Sequence, residues 1–568
     1  MSDTTDKMSP WWKDEVVYQI YPRSFQDSNG DGIGDIPGIT SRLDYLSDLG
    51  VTMLWLCPIF ASPMVDNGYD ISDYRAVAPE FGTLEDLDEL IAEAKARGIK
   101  ILLDLVLNHT SDQHEWFKRA LADPTCTEHG YYIFKQASEP PTNWRTAFGG
   151  NVWEKVPGRD EFYFHSFAPQ QPDLNWENPA LREKLYEIID WWLDRGVSGF
   201  RIDAITSIKK NQAWPILEPD GVDGLAKVSK AGSNQPGIEV FLTELKQRVF
   251  ARRGCFTVAE APGVPFDQLA QFAGYDGYFS CAFDFKAADI DIASGSEWFR
   301  RLPWTVADLR DLLARQQEAL RGIGFTANFI ENHDQPRATT KYLLEAADDP
   351  EAAKTLGAMY FLQRGIPFVY QGQELGMVNF ERASIDEFDD VSSIDQYGRS
   401  MKEGRTAEEA LRIVNLRSRD NTRTPFPWTG ERYGGFSDHE PWLGMTEEFP
   451  KVNASAEQGD PESVLAFYKG LIAFARHGEH AACLTDGEID FLQSSPNVIA
   501  YRRSSAGEVL DCYFNLRGEA AEEPLAEGTA TEVVWHTQDA PEVVAGADGS
   551  APVLRLRPYQ SAIVRLTV

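Results

Sequence analysis

Eight short apolar runs, set apart by segments of helical periodicity, constrain this chain more than any other feature. They fall at 16–21, 51–57, 99–107, 197–203, 254–260, 277–285, 325–330 and 366–370. Between them, 38–49, with Leu43, Leu46 and Leu49 on one face, and 84–97, 181–195 and 352–364 carry the period of amphipathic helices. Strands that are apolar throughout are buried on both faces, which marks a parallel sheet with helical crossovers. The expected fold is therefore α/β, a (β/α)8 TIM barrel, whose functional residues gather at the C-terminal ends of the strands.

Three runs end in a carboxylate at that face. Gly199-Phe-Arg-Ile-Asp203 and Cys255-Phe-Thr-Val-Ala-Glu260 end directly in one, and Phe325-Thr-Ala-Asn-Phe-Ile-Glu-Asn-His-Asp334 reaches one after a short extension. A single Asp at a strand end is commonly a helix N-cap. Three carboxylates from separate strands are what a sugar-cleaving barrel requires.

The barrel rhythm is broken once and then abandoned. Residues 108–179 are rich in aromatics, Pro and Gly and show little helical period, which predicts an inserted functional domain after the third strand. The barrel is expected over 1–107 and 180–480. From 481 to 568 the segments 490–502, 509–516, 531–535 and 554–566 alternate apolar and polar residues between turn-rich stretches, predicting a C-terminal antiparallel β-sandwich.

Charge and cysteine usage narrow the functional class. A formal net charge of −34 argues against nucleic-acid and anionic-membrane partners and leaves a neutral substrate open. Its 15 Trp and 20 Tyr suit either sugar stacking or a large aromatic core. Six scattered cysteines without a C-x-x-C pair predict free buried thiols, and the polar stretch 1–15 lacks the apolar core of a signal peptide. The expectation is a cytoplasmic protein acting as a monomer or weak homo-oligomer.

The motifs then point to a family. Asp104-Leu-Val-Leu-Asn-His109, Gly199-Phe-Arg-Ile-Asp203, Val258-Ala-Glu260 and Asn332-His-Asp334 resemble, in order and position, the four motif regions of glycoside hydrolase family 13, the α-amylase superfamily. Gln171-Pro-Asp-Leu-Asn-Trp-Glu-Asn-Pro179 is similar to the extra motif of its oligo-1,6-glucosidase and α-glucosidase branch. The resemblance implies a retaining exo-α-glucosidase that uses a covalent glucosyl-enzyme, with Asp203 as nucleophile, Glu260 as acid/base and Asp334 as transition-state stabiliser. Chemistry adds that Arg201, on the same strand face as Asp203, can hold that carboxylate ionised, and that neighbouring negative charge should raise the pKa of Glu260.

For substrate binding the resemblance implies Asp66 and Tyr69 at the terminal glucose, Arg419 closing the same end, His109 and His333 on sugar hydroxyls, and Phe148 and Phe167 as an aromatic entrance beside Gln171. Ala204 stands where the family biases linkage choice. With Ala261 at a pocket wall, it suggests activity on both α-1,6 and α-1,4 bonds. The loop Asp27-Ser-Asn29-Gly-Asp31-Gly-Ile33-Gly-Asp35 sets oxygen-bearing side chains at alternate positions, suiting Ca²⁺. It resembles the calcium loop of the same branch, which implies a structural ion held by Asp27, Asn29, Asp31, Asp35 and the Ile33 carbonyl. No organic cofactor is expected. Two alternatives stand beside this reading: a transglucosylase or sucrose isomerase of the same family, and a non-catalytic amylase-like scaffold. Isomerases of the branch carry an arginine-rich loop after Asn-His-Asp, where this chain has Gln335-Pro-Arg-Ala-Thr-Thr340, and scaffolds lack the catalytic carboxylates kept here.

Overall fold

Inward and outward residues alternate along the first five barrel strands, and this alternation decides which side chains can reach the site. In the computed structural model, which describes residues 10–293, 297–525, 530–545 and 551–567, eight parallel strands are ordered β6-β5-β4-β3-β2-β1-β8-β7. The first nine residues of the polar N-terminal stretch lie outside the described residues. The strands are β1 Val17–Ile20, β2 Met53–Leu56, β3 Lys100–Val106, β4 Gly199–Asp203, β5 Phe256–Glu260, β6 Cys281–Phe283, β7 Thr326–Asn328 and β8 Gly365–Tyr370. Seven of the eight strand-to-strand junctions are hydrogen-bonded ladders, and β6 lies beside β7 to close the ring.

Val17, Met53, Trp55, Leu102, Phe256, Val258, Phe283, Ala327 and Phe368 form one apolar cluster inside the barrel, while Tyr18, Ile20, Leu54, Leu103, Phe200, Ile202 and Ala259 face the helices. The same period-two rule sends Asp104, Arg201, Asp203 and Glu260 inward. Register sets Arg201 level with Asp104 on one side and Val258 on the other, with Asp203 and Glu260 two residues further along their strands. A charged layer thus sits on top of an apolar plug.

Several expected elements differ in detail. The helix expected over 38–49 is two helices, Ile36–Ser41 and Leu43–Leu49, broken at Arg42. The insertion, read as nearly devoid of helical period, contains the helix Glu115–Ala122 and an antiparallel sheet of Phe134–Gln136, Glu161–Phe164 and Trp153–Lys155. That helix is only two turns long, too short for a periodic signal to rise above the surrounding aromatics. In the C-terminal region the strand expected at 490–502 is a hairpin, Glu488–Phe491 with Val498–Ser505, and that expected at 554–566 is split into Val553–Leu556 and Ser561–Thr567. Turn residues inside each run, Ser494-Ser495-Pro496-Asn497 and Arg557-Pro558-Tyr559-Gln560, explain both divisions. These strands build sheets of five and three antiparallel members. Among the described residues all six cysteines are free, and no helix is long and apolar enough to cross a membrane.

Candidate active site

The guanidinium of Arg201 is the centre of the site. Its Nη1 donates to Asp104 Oδ1 and to Asp203 Oδ1, each at 2.7 Å, and its Nη2 lies 2.9 Å from Glu260 Oε2. Three strand tops, β3, β4 and β5, are therefore tied by one cation. Two of its carboxylates, Asp203 and Glu260, grip different nitrogens of the same planar fork.

One positive charge faces three buried carboxylates, and burial is the first cause that raises the pKa of each. Burial, with the charges of Asp104 and Asp334 added, pushes Asp203 up to about 7 against the pull of Arg201. Burial likewise raises Glu260 to about 7, and Asp203 and Asp334 reinforce it. Asp104 rises to about 6 for the same first reason. The rise expected for Glu260 is present, but its largest cause is loss of solvent and not neighbouring charge.

Asp334 behaves in the opposite way. Burial pushes it up, yet its Oδ1 accepts from Arg423 at 2.8 Å and Arg419 at 3.4 Å, and the net shift is well below the usual carboxylate range. His333 lies 3.1 Å from Asp334 Oδ2 but is itself lowered by burial to about 3, so it is neutral at physiological pH. A charged His333 would pull Asp334 down most strongly, followed by Arg419 and Arg423, but with His333 neutral near pH 7 the two arginines hold Asp334 ionised there.

The remaining expected residues gather around this core. Tyr69 donates to Asp104 Oδ2 at 3.0 Å, its hydroxyl lies 2.5 Å from His333 Nε2, and its ring stacks on His333 at 5.5 Å. His333 Nδ1 meets Gln19, so both ring nitrogens already have protein partners. Gln171 Nε2 bridges Asp66 at 3.1 Å and His109 at 3.2 Å. Arg419 reaches Asp66 at 3.0 Å, closing one end of the site. Phe148 and Phe167 meet at 5.6 Å, Phe167 lies against His109, and Phe148 lies under the Arg419 guanidinium at 5.3 Å. Ala204 takes a left-handed conformation, φ +41°, and its N–H donates to Glu260 at 2.8 Å.

Asp104, Arg423 and Asp390 belong to the site although their side chains were not singled out. Asp104 has a signal, its inward parity on β3 in register with Arg201. Arg423 and Asp390 lie in loops with no periodic pattern, and only the folded arrangement brings them in.

The loop of alternating oxygens is separate from this centre. Asp27 Oδ2 accepts from Gly32 N and the Ser437 hydroxyl, Asn29 accepts from Asp31 N, and Asp31 accepts from Ile33 N. Asp35 caps the helix Ile36–Ser41 through Gly38 N. Among the described residues no three His, Cys, Asp or Glu groups converge to hold a metal. The donors fit Ca²⁺ in type, and a bound ion would draw on the Asn29 amide and the Ile33 carbonyl beside the carboxylates.

Comparison with known proteins agrees with this geometry. The family description "Alpha amylase, catalytic domain" matches residues 19–486. An oligo-1,6-glucosidase of Halalkalibacterium halodurans is 38% identical over 563 residues, 97% of this chain and 98% of that protein. A trehalose-6-phosphate hydrolase of Escherichia coli is 39% identical over 513 residues, 90% of this chain and 91% of that protein. The crystal structure of isomaltulose synthase from Klebsiella sp. LX3 superposes with a TM-score of 0.92 at 36% identity, covering 98% of this chain and all of that one.

Proposed function

The chain belongs to the α-amylase family of glycoside hydrolases, and from that premise we propose that it is a retaining exo-α-glucosidase releasing glucose from the non-reducing end of short α-glucosides. The observation that carries the reading is the single Arg201 fork gripping Asp203 and Glu260, with Asp66 and Arg419 paired across one end.

In this mechanism the Asp203 carboxylate attacks the anomeric carbon while Glu260 gives its proton to the departing oxygen. A glucosyl ester on Asp203 results. Glu260, now ionised, takes a proton from water as the water attacks the anomeric carbon, breaking its bond to Asp203 and restoring both groups. Arg201 stabilises Asp203 as leaving group in that second step. Asp334, kept anionic by Arg419 and Arg423, accepts hydrogen bonds from sugar hydroxyls that tighten as the ring flattens. Asp66 and Arg419 bind the terminal glucose, with His109, Gln171 and Tyr69 around them and Phe148 and Phe167 at the entrance.

Whether water or sugar accepts the glucosyl group depends on the acceptor side. Arg337, the one arginine in 335–340, is fully buried and spends its guanidinium on Glu331 at 2.9 Å and on the Gln371 carbonyl. No cation from that segment is turned toward an acceptor sugar, which favours hydrolysis. Isomaltose, maltose and sucrose assayed side by side at high concentration are expected to give glucose as the main new product, with isomaltose and maltose both cleaved because Ala204 and Ala261 are small. Dominant disaccharide products would overturn the hydrolase reading, and cleavage of one glucobiose alone would overturn the dual-linkage reading.

We assign the loop Asp27, Asn29, Asp31, Ile33 and Asp35 to a structural Ca²⁺, because five oxygen donors at alternate positions suit a hard cation before the first barrel helix. Chelation followed by removal of the chelator is expected to lower the melting temperature by a few °C or more, restored by Ca²⁺ and not by Mg²⁺, as follows from an ion that binds only the folded state. An unchanged melting curve would refute the assignment. Free thiols throughout suit a reducing cytoplasm, and a monomer or weak homo-oligomer is expected by light scattering.

A further inference from the structure

Two parts of the pocket mouth come from distant places in the chain, yet one helix stands behind both. Arg419, at the closed end, is preceded by the helix Ala407–Arg417, while Phe148, at the entrance, sits on a turn of the insertion. The helix Val391–Lys402 touches the machinery of each without lining the sugar site itself.

At its N-cap, Asp390 is fully buried. Its Oδ1 accepts from Arg419 Nε at 2.8 Å and lies 2.7 Å from Arg419 Nη2. The same side chain accepts from Ser392 N, Ser393 N and the Ser393 hydroxyl, so the helix start fixes its orientation. Arg419 is thus drawn by three carboxylates: Asp66 and Asp334 from the pocket and Asp390 from behind.

In the second turn, Asp395 backs the turn that presents Phe148. Gly149 has φ +89° and its α-carbon approaches so closely that a Cβ there would lie 2.0 Å from Asp395 Oδ1. Thr146 ties the turn from inside, donating its hydroxyl to the Gly149 carbonyl and accepting from Phe148 N. One turn further, Arg399 meets Glu297 at 2.7 Å, and Glu297 meets Arg145, the residue before Thr146, at 3.0 Å. Arg145 and Glu297 are both buried, where an ion pair holds geometry that a solvated one would not.

We propose that the helix Val391–Lys402 is the positioning element of the pocket mouth. Asp390 aims Arg419, and Asp395 with Arg399 sets the turn that places Phe148 against the same guanidinium. Asp390 and Gly149 are positioning residues acting through Arg419 and Phe148. The consequence is specific: without the Asp390 charge, Arg419 shifts toward Asp334 and neutralises the carboxylate that grips the sugar.

The inference rests on the α-glucosidase reading, and binding separates the two. Asp390→Asn removes the charge and leaves one of the two oxygens that cap the helix, either Oδ1 for Ser392 N or Oδ2 for Ser393 N. KM for isomaltose and the inhibition constant of glucose are both expected to rise about tenfold or more, the scale of one charge-assisted hydrogen bond, with kcat reduced less than about threefold. Ser393→Ala weakens the cap without touching the charge and is expected to lower the melting temperature while leaving KM as in wild type. Gly149→Ala, which disturbs the other arm, should raise KM with the same kcat and the same pH limbs. Wild-type KM and glucose inhibition in both Asp390→Asn and Gly149→Ala would overturn the proposal while the unmodified enzyme's glucose release left the α-glucosidase reading standing. A fall in kcat with unchanged KM would overturn it too, since that pattern belongs to the chemistry. If Asp390→Asn does not fold, the Gly149→Ala constants decide.

Discussion

Asp203→Asn lowers kcat/KM for isomaltose and maltose by about ten-thousand-fold or more, the loss expected when the covalent nucleophile is removed. The amide has nearly the shape of the carboxylate, so Arg201 keeps its contacts with Asp104 and Glu260 and the pocket is preserved. What disappears is the anionic carboxylate that makes the oxygen nucleophilic. Rapid acid quenching of the unmodified enzyme on substrate should add one glucosyl mass to the chain, and the same experiment on Asp203→Asn should add none. The first sugar formed should be the α-anomer, because two displacements at one carbon restore its configuration.

Stability makes this prediction clean. The folded pKa of Asp203, about 7, exceeds that of an unfolded Asp at about 3.9, so the folded chain holds the proton more tightly between those values. Its ionisation therefore costs stability as pH rises through that window, and the neutral variant is spared the cost. Asp203→Asn should melt at or above the unmodified protein at pH 8, with the difference shrinking toward pH 4. A variant that melts lower at pH 8 would attribute the lost activity to folding and sink the argument; so would a variant that retains activity.

The sequence shows the fold at the level of parity and order. Strand ends at Asp203 and Glu260 are legible because short, mostly apolar runs, Gly199-Phe-Arg-Ile202 and Phe256-Thr-Val-Ala259, precede each carboxylate, and the inward direction follows from the pleat. The same rule reaches Asp104, since it is two residues along from Leu102 on β3. It does not reach the second half of the site. Arg423 and Asp390 meet Asp334 and Arg419 through irregular segments, where each side chain's direction depends on local turns and not on a period. Nor does a string of residues reveal that Ala204 adopts a left-handed backbone, which swings its N–H onto Glu260. The helix Glu115–Ala122 and the two divided C-terminal strands were obscured for a related reason: short elements yield to turn chemistry before a period can register.

Glu260→Gln is expected to cut kcat/KM on isomaltose by about a hundred- to ten-thousand-fold, the usual worth of a placed general acid, and to do so unevenly across substrates. A 4-nitrophenyl glucoside departs without protonation, so its glucosylation should suffer far less than that of a sugar leaving group. The pH profile carries the sharper test. Asp203 and Glu260 are both raised first by burial, and the charge of Asp203 raises Glu260 further, so the site loses its protons in successive steps. Loss of the first proton creates the reactive form, with Asp203 ionised and Glu260 protonated; loss of the second destroys it. Activity of the unmodified enzyme should therefore rise and then fall with pH, and the falling limb should be absent from Glu260→Gln acting on the nitrophenyl substrate, because glutamine has no proton to lose. Glu260 is still protonated, hence neutral, when Asp203 ionises, so the rising limb should stay in place in the same variant. A falling limb that persists in Glu260→Gln would assign the acid to another group, and a rising limb that disappears would mean that Asp203 is not the group that must ionise.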